Sequence, residues 1–180
     1  MNPTLFSKHA EKSVLVEAPA AQVFAYLDDP RAMAAHMGES SMMMMGSRMA
    51  MEVDGRGGRD VGSEIRMSGN MMGIAISLEE VITVRRPPHE KVWETIGAPR
   101  LVVIAQYRMG FEVTPQGDAS LLRVFIDYSL PAAPPASWLG RCFSGIYARW
   151  CTRRIAEDAA GHFRPSPRAA APFTSNQKKY

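Results

Sequence analysis

Apolar and polar side chains alternate along the second half of the chain, and this alternation predicts a sheet. Residues 101–114 and 121–130 carry apolar side chains at every second position over most of their length. One dry face and one wet face are typical of an antiparallel sheet that covers a core or a cavity. The positions expected on the dry face are Val103, Ala105, Tyr107, Met109, Phe111, Val113, Leu122, Val124, Ile126, Tyr128 and Leu130.

Five further strand-like segments precede these two. They cover residues 11–17, 48–54, 62–68, 72–84 and 91–96. Turn sequences rich in glycine or proline separate most of them, and this spacing of strands and turns favours one antiparallel meander. The glycine-rich segment DGRGGRD at 54–60 has neither of the phosphate-binding glycine patterns. We therefore interpret it as a hairpin turn.

Helical spacing predicts two short helices and one long one. The first short helix begins at Pro19, whose missing N–H suits a first helical turn, and ends before Pro30. The second is predicted over 31–37. The long helix covers about 137–160, and we expect its apolar stripe to be buried against the sheet. That stripe consists of Leu139, Cys142, Phe143, Ile146 and Trp150.

Length and charge limit the class of protein. The 180 residues suit one domain, and a net charge of +3 is too small for the dense basic face of a nucleic-acid binder. No apolar run approaches the ~18 residues that span a membrane, and the first 16 residues lack the apolar core of a signal peptide. Cys142 and Cys151 fall on opposite sides of the predicted helix, which excludes a disulfide between them and favours reduced thiols in the cytoplasm.

Three segments carry a resemblance to a known superfamily. They are VEAPAAQVFAYLDDPRAMAAHM, EEVITVRRPPHEKVWE and FEVTPQGDASLLRVFIDYSL. Over about residues 10–160 the chain resembles the START-like helix-grip superfamily, the SRPBCC-type polyketide cyclase/dehydrase and lipid transport proteins. The resemblance implies an α+β fold: a curved antiparallel sheet of about seven strands around a long C-terminal helix, with two short helices between strands 1 and 2.

The resemblance also suggests domain limits. We expect residues 1–10 to be an N-terminal extension, 11–162 the helix-grip domain and 163–180 a disordered basic tail. The tail offers too little apolar surface to offset its ordering entropy, so it should be dispensable for folding. Members of the superfamily include lipid carriers, hormone receptors, cyclases, hydrolases and assembly factors, so the fold does not determine the function.

Methionine is the most unusual component, with 13 residues. Flexible thioethers suit a cavity that accepts varied apolar ligands, although they also fill cores. A Cu(I) site at Met42–Met45 is not favoured, because four consecutive side chains of a strand do not converge. We therefore predict no metal and no cofactor. The candidate ligand-binding residues are Met49, Met51, Met67, Met72, Tyr107, Phe111, Tyr128, Phe143 and Tyr147.

The two phenols on the predicted dry face supply the polar part of the site. A buried Tyr107 or Tyr128 needs a hydrogen-bond partner, which would be a ligand carbonyl, a backbone group or a water molecule. Large aromatic residues either close the cavity or belong to the core; they are Trp93, Trp138, Phe143, Tyr147 and Trp150. His36 stands alone near the methionine run, and a lone histidine more often lies on the surface or in a satisfied core.

The pattern favours binding or transport of a lipid-, polyketide- or quinone-like molecule in an internal cavity. A cyclase or dehydratase ranks second because, apart from Glu80, the dry face holds no carboxylate or histidine to act as acid or base. We therefore assign no catalytic residue and lean against an enzyme. A third alternative is an interaction or assembly protein. The expected partner is the apolar ligand, without nucleic acid or a membrane span, and a transient membrane contact stays open.

Overall fold

The computed structural model describes residues 6–31, 48–71, 74–132 and 136–164. These residues form seven strands and two helices in one sheet-and-helix assembly. The strands are β1 (Lys8–Val16), β2 (Arg48–Val53), β3 (Glu64–Met71), β4 (Ile74–Arg86), β5 (Glu90–Arg100), β6 (Tyr107–Gln116) and β7 (Ala119–Tyr128). The helices are α1 (Ala20–Asp28) and α2 (Ala136–His162).

All seven strands form one antiparallel sheet in the order β1-β7-β6-β5-β4-β3-β2. Strands β2 to β7 are a simple meander, and β1 returns to pair with β7, so that Ala10 faces Ile126 and Val14 faces Leu122. Helix α2 packs on the inner face against β1 and β7 and meets α1 near its C-terminal end. This arrangement confirms the predicted helix-grip fold.

The dry faces of β6 and β7 are where the alternation predicts them. Met109, Phe111 and Val113 are buried on β6, and Leu122 to Tyr128 repeat the pattern on β7. The limits of β6 differ from the prediction, because the strand begins at Tyr107 rather than at residue 101. Residues 101–106 lie between β5 and β6. Within this segment the Ala105 N–H donates to the Ser129 carbonyl oxygen, and the Ser129 N–H donates to the Gln106 carbonyl oxygen, at 2.9 Å each.

Other predicted elements agree to within a few residues. Helix α1 follows Pro19 and ends at Asp28, as expected. The glycine-rich segment forms a turn in which Gly57 and Gly58 have φ of 71° and 67°, a left-handed conformation that glycine adopts without strain. The second short helix was predicted over 31–37, of which 32–37 lie outside the described residues. The domain limits stay predictions.

The prediction for the face of α2 was wrong. Phe143 and Ile146, expected in the core, are 47% and 49% exposed. The buried face consists mainly of small residues, namely Gly140, Ser144, Ala148, Cys151, Thr152, Ile155, Ala156 and Ala159. A Cβ atom on Gly140 would lie only 2.8 Å from Pro131 Cδ. Such close packing of the helix requires small side chains, so the larger ones point outward.

A buried ion cluster joins α1 to the β4–β5 hairpin. Asp28 is 5% exposed and receives a hydrogen bond from Lys91 Nζ at 2.8 Å and one from Arg85 at 2.8 Å. Lys91 also donates to the backbone oxygen of Asp28 at 2.9 Å, and Arg85 lies over the ring of Phe24. Because each charge has an opposite partner, the cluster holds the end of the helix on the sheet.

Candidate functional site

A single carboxylic acid lies in the middle of the inner face of β4. Glu80 is 4% exposed and alternates with Leu78 and Ile82, which are also buried. Its carboxylate accepts hydrogen bonds from the Tyr107 hydroxyl and from the Trp93 side chain. Both donors are neutral. The pair formed by Glu80 and Tyr107, together with Trp93, is called here the Glu80 site.

The backbone at the end of the β5–β6 ladder holds Tyr107 in place. The regular pairing of these strands ends at Glu94 and Arg108. Beyond it, the Thr95 hydroxyl accepts from the Tyr107 backbone N–H at 3.0 Å and donates to the Tyr107 carbonyl oxygen at 3.3 Å. Because Thr95 lies opposite Glu80 on the neighbouring strand, this link brings the phenol to the carboxylate.

Burial sets the protonation behaviour of the site. Burial raises the pKa of Glu80 to about 7, although hydrogen bonds from Tyr107 and Trp93 and the more distant charge of Lys91 act to lower it. The pKa of Tyr107 is raised well above its usual value by burial and by the neighbouring carboxylate. Glu80 therefore exchanges a proton near neutral pH, whereas Tyr107 keeps its proton.

Helix α2 adds two polar groups from the opposite side. The Tyr147 hydroxyl and the Cys151 thiol, one helical turn apart, form a side-chain hydrogen bond. Burial raises the pKa of the Cys151 thiol to about 12, so this cysteine stays protonated. Both residues are close enough to the Glu80 site to influence the pKa of Tyr107.

Hydrogen-bond capacity limits what the site can bind. The Tyr107 and Trp93 donors are both directed at Glu80, and the Tyr147 hydroxyl is directed at Cys151. An ionised carboxylate and a phenol oxygen retain free lone pairs. With Glu80 ionised, the strong hydrogen-bonding capacity left in the Glu80 site is therefore for accepting. A group that donates a hydrogen bond fits it best.

Several predicted ligand-binding residues lie on the inner face. Met67, Phe111 and Tyr128 are buried there, and Met51 is half-buried opposite Met67. Tyr107 and Tyr147 are half-buried beside Glu80. A ligand role for each stays a prediction.

The other predicted residues stand apart from this group. Phe143 points away from the sheet, as described above. Met72, Met42–Met45 and His36 lie outside the described residues, as does the side chain of Met49. The hydrogen-bond partners expected for the Tyr107 hydroxyl were a ligand carbonyl, a backbone group or a water molecule, and Glu80 was not among them. The sequence places Glu80 on the dry face, in alternation with Ile76, Leu78 and Ile82, but its contact with Tyr107 was not predicted.

A separate cleft of about 420 Å³ lies near the end of β5, and its polar residues are on the outer face of the sheet. It is therefore distinct from the internal cavity that the sequence predicts, and that cavity stays a prediction. The lining residues are Glu52, Arg66, Met67, Ser68, Ser77, Leu78, Glu79, Ile96, Ala98 and Pro99.

Within 6–31, 48–71, 74–132 and 136–164, no group of three or more His, Cys, Asp or Glu is arranged to hold a metal ion. In the same ranges, neither helix combines the length and the apolar character that crossing a bilayer requires.

Solved structures of similar architecture come from plants and bacteria. A norcoclaurine synthase from Thalictrum flavum, in complex with dopamine and hydroxybenzaldehyde, matches with a TM-score of 0.59 and 16% identity over 86% of this chain and 85% of that one. Major latex-like protein 151 from Panax ginseng gives 0.54 and 15% over 88% and 98%. Protein TTHA0849 from Thermus thermophilus gives 0.60 and 11% over 87% and 100%. At these identities the likeness shows the fold.

The sequence comparison is more specific. No curated protein matches the chain. Residues 7–163 match the family described as polyketide cyclase / dehydrase and lipid transport, which covers both helices and all seven described strands. The chain belongs to the polyketide cyclase/dehydrase and lipid transport family.

Proposed function

We propose that the protein binds an apolar small molecule on the inner face of its sheet, with the Glu80 site as the polar anchor. The supporting observation is the buried Glu80–Tyr107 pair among apolar side chains. Ligand sites of this type are mostly apolar, with a few polar groups that set the orientation. The family description, which includes lipid transport, agrees with this function.

The ligand is a lipid-, polyketide- or quinol-like compound that carries a hydroxyl or amino group. This choice follows from the acceptor capacity of Glu80 and the Tyr107 oxygen, because a carbonyl would find no free strong donor there while Glu80 is ionised. It differs from the ligand carbonyl considered in the sequence analysis. The norcoclaurine synthase above was solved with dopamine and hydroxybenzaldehyde, which suggests aromatic compounds as first probes.

The test compares two probes that share a naphthalene ring. 2-Naphthol donates a hydrogen bond, whereas 2-methoxynaphthalene carries a methyl group in place of the donor hydrogen. A buried acceptor left unpaired costs about 1–3 kcal/mol, so 2-naphthol should bind about 5- to 150-fold more tightly. Affinities are measured by isothermal titration calorimetry above pH 7, where Glu80 is mostly ionised.

Two variants connect that preference to the site. Glu80→Gln should remove most of the difference between the probes, because the amide offers a donor in place of one acceptor oxygen. Glu79→Gln is the matched control, since the neighbouring carboxylate lies on the exposed side of β4. Absence of binding by either probe contradicts the proposal, and so does a probe preference that Glu80→Gln leaves unchanged.

A second function, acid–base catalysis, is supported by one observation. A carboxylic acid with a pKa of about 7 can both accept and donate a proton at neutral pH. In a cyclase or dehydratase, Glu80 would exchange a proton with the substrate. Such an enzyme would turn over an aromatic polyketide with a rate that changes near pH 7, and Glu80→Gln would abolish turnover while keeping substrate affinity within about tenfold.

A further inference from the structure

The outward face of α2 carries an apolar patch that the fold leaves exposed. Trp138 is 64% exposed, and Phe143 and Ile146 are about half exposed. With 3.6 residues per turn Phe143 and Ile146 fall on the side of the helix opposite Ala148 and Ile155, which are buried, whereas Trp138 lies on its flank. This side is called here the outer α2 face.

The same face is basic. Arg149 and Arg153 are exposed beside the apolar patch. From residue 128 to residue 156 the chain contains no aspartate or glutamate. The first acidic residue of the helix is Glu157, whose carboxylate is 4.0 Å from Arg153. An apolar patch with a basic border therefore occupies the first two-thirds of α2.

We propose that the outer α2 face docks on the surface of an anionic lipid bilayer. Aromatic and aliphatic side chains on a helix enter the boundary between headgroups and acyl chains, and flanking arginines attract anionic headgroups. The helix lies along the surface and does not span the bilayer. This docking does not depend on the proposed ligand, and it specifies the membrane contact that the sequence leaves open.

Charge distinguishes a bilayer from a second copy of the chain. A symmetric dimer through this face would bring the arginines of both copies together with few carboxylates between them, and like charges at an interface are unfavourable. An anionic bilayer neutralises the arginines and accepts the apolar side chains at the same time. The lipid surface is therefore the partner that satisfies both properties of the face.

The experiment is vesicle flotation of the full chain. The vesicles contain phosphatidylcholine alone or phosphatidylcholine with about one-third phosphatidylglycerol, as a model of an anionic leaflet. We expect binding to the anionic vesicles and at least about tenfold weaker binding to the neutral ones. Phe143→Gln with Ile146→Gln should reduce binding by about tenfold or more. Arg149→Gln with Arg153→Gln should reduce it by about fivefold per arginine.

Controls use equally exposed residues elsewhere. Leu15→Gln with Val61→Gln removes two apolar side chains that are 57% and 55% exposed, and Arg56→Gln with Arg59→Gln removes two exposed charges. Neither control should change binding by more than about twofold, and thermal melting checks that every variant is folded. Three results overturn the proposal: no flotation, flotation that both outer-face variants retain, or a dimer in solution that Phe143→Gln with Ile146→Gln dissociates.

Discussion

Two buried carboxylic acids, Asp28 at the end of α1 and Glu80 in the middle of β4, have opposite surroundings. Asp28 is held between Lys91 and Arg85, whereas the hydrogen-bond partners of Glu80 are neutral. Burial acts to raise the pKa of both acids. At Asp28 the hydrogen bonds and charges of the two cations outweigh burial and lower the pKa, whereas at Glu80 burial dominates and the pKa rises to about 7.

The difference separates a carboxylate that stays ionised from a carboxylic acid that titrates near neutral pH. A carboxylate paired with two cations stays ionised and connects α1 to the sheet. A carboxylic acid with neutral partners changes its protonation near pH 7 and retains lone pairs that can accept a further hydrogen bond. Burial alone would not distinguish these roles, since both side chains are almost fully buried.

Lys91→Met should have the largest effect on stability. It leaves Asp28 buried with only the half-exposed Arg85, and breaking one side of a buried ion pair costs about 3–5 kcal/mol. Urea unfolding of parent and variant measures the difference. Arg66→Met is the control, because its pairs with Glu64 and Glu79 are exposed and should be worth less than about 1 kcal/mol. A similar loss in both variants would contradict a structural role for the buried cluster.

Glu80 should make the protein less stable as the pH rises. Its pKa is raised from 4.5 in the unfolded chain to about 7 in the folded protein, so the folded state binds the proton more tightly. The resulting stabilisation is fully present below pH 4.5 and is lost as the pH rises through about 7, by roughly 3 kcal/mol at about 1.4 kcal/mol per pH unit. Glu80→Gln should flatten the stability profile between about pH 5 and pH 8.

Asp28 should affect the free energy of unfolding in acid. Because its pKa is lowered from 3.8, the stabilisation that it provides is present above that value and is lost as the pH falls below it. The unfolding free energy of Glu80→Gln should therefore still decrease in acid. A Glu80→Gln profile identical to the parent between about pH 5 and pH 8 would mean that Glu80 is already ionised in the folded protein.

Tyr107→Phe should have an intermediate effect. Loss of the hydroxyl removes a hydrogen-bond donor from one Glu80 oxygen. When the acid is ionised, this should lower the free energy of unfolding by about 1–3 kcal/mol. The hydrogen bond from Tyr107 lowers the pKa of Glu80, so its removal should move the midpoint of the stability profile to higher pH. Tyr128→Phe removes a phenol from the same face and should leave the midpoint in place. Equal midpoint shifts in both variants would disprove the specific pairing.

Removal of residues 164–180 should have the smallest effect. This truncation affects neither carboxyl group and keeps Phe163, whose ring packs 5.8 Å from that of Tyr26. The melting temperature should stay within about 2 °C of the parent, less than the shift expected for 1 kcal/mol at this size. A truncation after Gly161, which also removes His162 and Phe163, should lower it further. Equal melting temperatures for both truncations would mean that the Tyr26 contact adds nothing.

Alternation within a strand was a reliable guide to the sheet. In β6 and β7 each inward position was predicted from its neighbours, because side chains of a strand point to opposite faces by geometry. The start of β6 was not predicted. Residues 101–106 are as apolar as a strand, yet Ile104 is buried without belonging to one. Apolar content shows that a segment is buried, and pairing with a neighbour decides whether it is a strand.

Helix α2 and the Glu80 site depend on contacts between elements, which the sequence pattern of one element does not show. The apolar stripe on α2 has helical spacing, but spacing alone does not show which side of a helix packs on the sheet. In the structure the side that packs on the sheet consists mainly of small residues. Glu80 and Tyr107 are 27 residues apart, and their contact depends on the register of β4, β5 and β6. Both residues were visible as inward-facing in the sequence, and only the register brings them together.

The pairing of β1 with β7 has a consequence for how the chain is made. Lys8 lies opposite Tyr128, so β1, the first of the described strands in chain order, pairs with β7, the last of them. At about 5–20 residues per second, some 6–24 s pass between the synthesis of these two residues. Until then β1, with its apolar Val14 and Leu15, has no partner strand. Because closure over so long a loop is slow, β1 stays open to aggregation or chaperone binding during this interval.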